Sequence, residues 1–178
     1  ALEFRLAHMK NNPRGAAVLK AVAERSGWGN KDGKHRGLAV TYGFGSYVAA
    51  CADVTVSAGG ELKIDRIVAA TDCGTAVNPQ QIEAQVEGSF VYGLSTLLYQ
   101  EITYKDGVVE QQNFHTYPSM RIKDMPEVDT LVMPSGGFYG GVGEPTIGVA
   151  APAVMNAIYA ATGKRVRSLP LKDQLQKA

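Results

Sequence analysis

Tyr47-Val-Ala-Ala-Cys-Ala-Asp-Val-Thr-Val56, Ser57-Ala-Gly-Gly60 and Glu61-Leu-Lys-Ile-Asp-Arg-Ile-Val68 read as two extended runs broken by a glycine pair. β-Branched and small apolar residues fill both runs, and Gly59-Gly60 provides the backbone freedom that a tight hairpin turn needs. A third run, Leu38-Ala-Val-Thr-Tyr42, precedes them. Together they predict an antiparallel meander of strands at Leu38–Tyr42, Tyr47–Val56 and Leu62–Val68.

Working outward, Ala17, Val18, Ala21 and Val22 have helical spacing within 16–25, with Pro13 ahead and Gly27 behind as a breaker. Trp28 then opens a loop rich in glycine and lysine. On the other side, Asn78-Pro79 is a helix start, with asparagine as N-cap and proline in the first turn. The stripe Ile82, Val86, Phe90, Leu94 and Leu97 carries that helix to about Gln100. Gly88 and Gly93 fall inside it at a cost of about 1 kcal/mol each relative to alanine, so a packed neighbour or a ligand is expected close to the backbone there.

Lys105-Asp-Gly107 marks a hairpin between 101–104 and 108–112. A strand is predicted over 128–133 and a helix from about Pro152 to Thr162, closed by Gly163. Strands on both sides of a central helix make this an α+β domain, antiparallel strands packed with a few helices, spanning residues 1–178 as one unit.

The 178 residues are 45% hydrophobic, enough for a real core, and 18 basic against 17 acidic residues leave a net charge of +1. Such a balance gives no electrostatic footprint for nucleic acid or an anionic membrane surface, and the apolar run at 149–154 is too short for a transmembrane segment. Two separated cysteines, Cys51 and Cys73, cannot supply the four thiolates of an iron–sulfur cluster, and His8, His35 and His115 are scattered. A metal held by protein side chains is therefore not expected, and both thiols read as buried packing groups. Ala1 opens in mid-pattern, which suggests a longer polypeptide.

The strongest functional signal is Ser135-Gly-Gly-Phe-Tyr-Gly-Gly-Val-Gly-Glu-Pro145. Its glycines let backbone approach a bulky ligand, and they end in one carboxylate at a helix entrance, so Glu144 is the leading candidate for proton transfer. No Gly-Lys-Ser/Thr follows, and no register gives the dinucleotide fingerprint with its helix. Glycine content alone leaves a purely structural loop equally open.

Asn78-Pro79, Gln85-Val-Glu-Gly88-Ser-Phe-Val-Tyr-Gly93-Leu and Gly141-Val-Gly-Glu144-Pro145 resemble one family, the molybdenum hydroxylases related to xanthine dehydrogenase and aldehyde oxidase. The likeness runs from Phe4-Arg5-Leu6 and Gly27-Trp28-Gly29 through Asp72-Cys-Gly74 to Leu169-Pro-Leu171, and looks most like the C-terminal part of the isoquinoline 1-oxidoreductase β-subunit type.

This resemblance implies part of the molybdopterin-binding domain of a bacterial oxidoreductase that hydroxylates N-heterocycles or oxidises aldehydes. The implied cofactor is molybdopterin with molybdenum, in the cytosine dinucleotide form, its metal bound through the dithiolene. Glu144 matches the family's glutamate beside the metal, the general base that deprotonates Mo–OH as its oxygen attacks an electron-poor carbon and hydride passes to Mo=S. A dry, glycine-walled pocket is expected to bury that carboxylate and make it a better base. Gln85 matches a cofactor contact, on a helix face shared with Gln81 and Gly88. Gly141, Val142 and Gly143 would wall the metal site with backbone. Phe138 and Tyr139 are either packing anchors or the edge of a substrate funnel.

Implied partners are the remaining half of the molybdopterin subunit, a two-cluster iron–sulfur subunit and a small aromatic or aldehyde substrate. The compartment, bacterial cytoplasm or periplasm, is left open. The alternative is a non-catalytic interaction or assembly module of the same fold without cofactor.

Overall fold

The computed structural model describes residues 1–176. Its elements are α1 (Leu2–Ala7), α2 (Pro13–Ser26), β1 (His35–Gly43), β2 (Ser46–Val56), β3 (Leu62–Asp72), α3 (Pro79–Leu98), β4 (Tyr104–Lys105), β5 (Val108–Val109), a 3₁₀ turn (Ile122–Asp124), β6 (Glu127–Val132) and α4 (Ile147–Thr162). The predicted meander is present as β1-β2-β3, and β6 adds to the far side of β3 in parallel, giving the sheet order β1-β2-β3-β6. This is an α+β arrangement, antiparallel except at that last pair.

Helices cover both faces of the sheet. Alternate residues of β2 point to opposite sides, so Ala49 and Cys51 pack with Val18, Leu19 and Val22 of α2, while Val48, Ala50 and Ala52 pack with α3 and α4. The alanines keep the sheet surface low and let the helices come close. The extreme case is Gly37 in β1, where a Cβ would lie 2.1 Å from the Ala157 nitrogen and 2.2 Å from the Ala153 carbonyl oxygen. α4 thus runs directly across bare strand backbone. Gly93 does the same between helices, since a Cβ there would meet the Ala150 Cβ at 2.5 Å. Packing explains this glycine.

Local signals set most boundaries. Asn12 and Asn78 cap α2 and α3 by accepting from Gly15 N–H and Gln81 N–H, and Gly27 and Gly163 end α2 and α4 in the left-handed region. Three predictions need correction. β3 continues through Ala69-Ala-Thr-Asp72 because those residues pair with Tyr47–Ala50 of β2 and with β6. The hairpin strands shrink to two residues each, although its turn has positive φ at Asp106 and Gly107 as Asp-Gly predicts. α4 starts at Ile147 and holds Pro152 inside it, because burial of Val149 and Ala150 in the core outweighs the lost proline N–H bond.

Candidate functional site

The loop 135–145 leaves β6, crosses the ends of β3 and the β1–β2 hairpin, and enters α4. Three segments hold it. From the stretch after β3, the Cys73 carbonyl accepts from Gly140 N–H (2.7 Å), the Gly74 carbonyl accepts from Gly136 N–H (3.1 Å), and the Thr75 hydroxyl donates to the Gly137 carbonyl (2.6 Å). Gly74 has φ +81°, and a Cβ on it would lie 2.2 Å from the Phe138 oxygen, so only glycine suits this crossing.

From the β1–β2 hairpin, Gly141 N–H donates to Phe44 O (2.8 Å) and the Ser46 hydroxyl donates to Gly141 O (2.6 Å). From α3, the Ser89 hydroxyl lies within hydrogen-bonding distance of both the Gln85 and Gly143 carbonyls. Ser46 and Ser89 are buried, and their sequence context gave no hint of this anchoring role.

The predicted residues divide accordingly. Gln85 and Gly143 are brought together, because a Cβ on Gly143 would lie 3.6 Å from Gln85 Oε1. Gln85 and Val142 also line one cavity of about 220 Å³, with Gln81, Asn78, Tyr139 and Gly140 among the other walls. Gly141 adjoins it, but both its backbone polar groups are already used within the protein, so it shapes the loop rather than offering a hydrogen bond outward. Gly88 is not brought to this cavity. It borders a separate groove with Ala84, Met125 and Pro126, since its position on α3 turns toward the approach to β6.

Glu144 sits where the sequence placed it, at the entrance to α4, its carbonyl accepting from Ile147 N–H (3.0 Å). The favourable end of the helix dipole faces that position. Burial is the expectation that fails: Glu144 is exposed, because no element among the described residues passes over the outer side of the loop. Phe138 and Tyr139 are likewise exposed, and they stack on each other at 5.0 Å rather than anchoring the loop.

Cys51 and Cys73 are buried free thiols, and burial pushes Cys51 up to about 11, far from thiolate chemistry at neutral pH. No group of His, Cys, Asp and Glu suited to a metal occurs among the described residues.

The profile of the molybdopterin cofactor-binding domain family matches residues 8–126. The β-subunit of isoquinoline 1-oxidoreductase from Brevundimonas diminuta is 34% identical over 98% of the chain. The chain belongs to the molybdenum hydroxylase family. A Gluconacetobacter polyoxogenes protein named membrane-bound aldehyde dehydrogenase [pyrroloquinoline-quinone] is also 34% identical, over 89% of the chain. Among solved structures, the aldehyde oxidoreductase of Desulfovibrio gigas superposes with a TM-score of 0.60 at 27% identity, covering 70% of the chain and 14% of that structure. The chain spans 23% and 22% of the lengths of the two curated relatives.

For a molybdenum hydroxylase domain the donor set at this site is consistent. A pterin whose dithiolene holds the metal asks the protein for amide groups and close backbone, not for metal ligands. Gln81, Gln85 and Asn78 provide amides around the cavity, and the N–H groups of Val142, Gly143 and Glu144 have no acceptor among the described residues. The residues present fit the cofactor.

Proposed function

We propose that this chain forms one wall of the active site of a molybdenum-dependent hydroxylase acting on an N-heterocycle or an aldehyde. The observation that carries the reading is the convergence of Gln85 of α3 and Gly143, next to Glu144, at one end of the glycine loop. When bound, molybdopterin in its cytosine dinucleotide form would carry the molybdenum that supplies the oxygen to be transferred and accepts two electrons. Gln85 and the backbone of 142–143 bind and orient its periphery. Glu144 takes up the proton released as the new carbon–oxygen bond forms.

An exposed carboxylate is a poor place to hold a catalytic proton, since water competes for it. The reading therefore includes a covering surface from elsewhere in the same subunit, closing over Glu144, Phe138 and Tyr139. Electrons leave through an iron–sulfur partner subunit.

Two measurements on the complete subunit with its partners test this. Metal analysis and pterin fluorescence are expected to show molybdenum and pterin, a result that also separates molybdopterin from the quinone in the name of the Gluconacetobacter relative. Glu144→Gln is expected to retain the metal while kcat falls by orders of magnitude. Near-normal turnover in that variant removes Glu144 from the mechanism, and a complex devoid of metal and pterin favours the assembly module.

A further inference from the structure

One charged group buried at the edge of the site has no place in the chemistry above. Asp72, the last residue of β3, is 3% exposed and receives four hydrogen bonds on its carboxylate. Arg14 Nε donates to Oδ2 at 2.8 Å, and Oδ1 accepts from Arg14 Nη2 (2.9 Å), Gly74 N–H (2.9 Å) and the Ser135 hydroxyl (2.8 Å). Arg14 also donates to the Asp72 carbonyl at 3.1 Å and lies over the Tyr47 ring, 5.0 Å from its centroid.

Those donors come from three segments: α2, the loop after β3, and the first residue of the glycine loop. Each of the three residues that follow Asp72 in turn bonds to the glycine loop, at Gly140, Gly136 and Gly137 respectively. Asp72 is thus the point from which residues 73–75 and 135–140 are both hung. Cys73, Thr75, Tyr139 and Gly140, which these bonds set in place, line the same cavity as Gln85 and Val142.

We infer that the Arg14–Asp72 pair is a positioning clamp for the molybdopterin site, with both residues acting through the glycine loop rather than on substrate. The inference rests on the cofactor reading above. The fork of Arg14 fixes the carboxylate plane, and the carboxylate in turn fixes where Gly74 and Ser135 sit.

The test uses the complete enzyme carrying Asp72→Asn, which keeps the size of the side chain but turns an amide N–H₂ or a weaker acceptor toward the guanidinium. Amide hydrogen exchange at the bonded N–H groups of Gly136, Gly140 and Gly141 is expected to rise at least tenfold more than in the middle of β2, whose amides report the global loss of stability. Molybdenum occupancy should fall severalfold, with kcat per bound molybdenum reduced more than KM. Arg14→Lys, which keeps the charge without the fork, should fall between wild type and Arg14→Met.

A rise in the loop no larger than the rise in β2 overturns the clamp. Ser135→Ala removes one bond from the network without touching the ion pair, and provides the same exchange readout if Asp72→Asn does not fold. The exchange measurement stands whether or not the wild-type enzyme contains molybdenum, so a failed clamp is distinguishable from a failed cofactor assignment.

Discussion

Gly37→Ala is expected to pry α4 from the sheet. The added methyl would lie 2.1 Å from the Ala157 nitrogen, 2.2 Å from the Ala153 oxygen and 2.7 Å from the Asn156 carbonyl carbon, all backbone atoms of one helix. No rotamer change relieves such a contact. α4 must retreat by roughly an ångström to restore van der Waals distances, and it carries Val149, Ala150, Ala153, Val154, Ala157 and Ile158 in the core. It also holds the Asn156 side-chain bond to the Leu38 carbonyl at 3.0 Å.

Overpacking that side chains can absorb costs about 1–3 kcal/mol, and loss of a hydrogen bond about 1 kcal/mol more, so a total of about 3–4 kcal/mol is expected. For a chain of this size that is a fall in Tm of about 10 °C. Denaturant unfolding of the full chain measures it, with Gly148→Ala as the control, where the added Cβ meets only the Thr41 side chain at 3.4 Å. The control should lose little or gain from helix propensity. A loss below about 1 kcal/mol in Gly37→Ala refutes the close crossing of α4 over β1.

Acid should weaken the chain partly through Asp72. Burial alone raises its carboxyl, but the hydrogen bonds and charge of Arg14, with Gly74 and Ser135, outweigh it and hold the group down to about 2. The unfolded value is about 3.9, so the folded carboxylate contributes about 2 kcal/mol above pH 5, and roughly 1 kcal/mol of this is gone by pH 3. Unfolding curves at pH 7 and pH 3 should therefore converge for wild type and Asp72→Asn as pH falls, and a constant gap counts against the ion pair. Gly88→Ala places a Cβ where no atom lies within 4 Å, in the middle of a helix. It should stabilise the chain by about 0.5–1 kcal/mol and leave molybdenum content unchanged, whereas a fall in molybdenum would return Gly88 to the cofactor surface.

The meander, the central helix and the glycine loop were all legible in the amino-acid order, because strand alternation, Asn-Pro capping and glycine turns act over a few residues. So was the place of Glu144 at the end of the glycine loop. Other features depend on residues far apart in the chain. The parallel docking of β6 on β3, the extension of β3 to Asp72, and the start of α4 five residues before Pro152 are decided by burial against elements that local sequence does not reveal. The same holds for the site. Asp72 meets Arg14 across 58 positions and Ser89 meets Gly143 across 54, so the anchors of the loop emerge only when the chain is folded. Exposure of Glu144 is tertiary for the same reason: a pocket needs walls, and whether any element covers a loop depends on packing rather than on the residues of the loop.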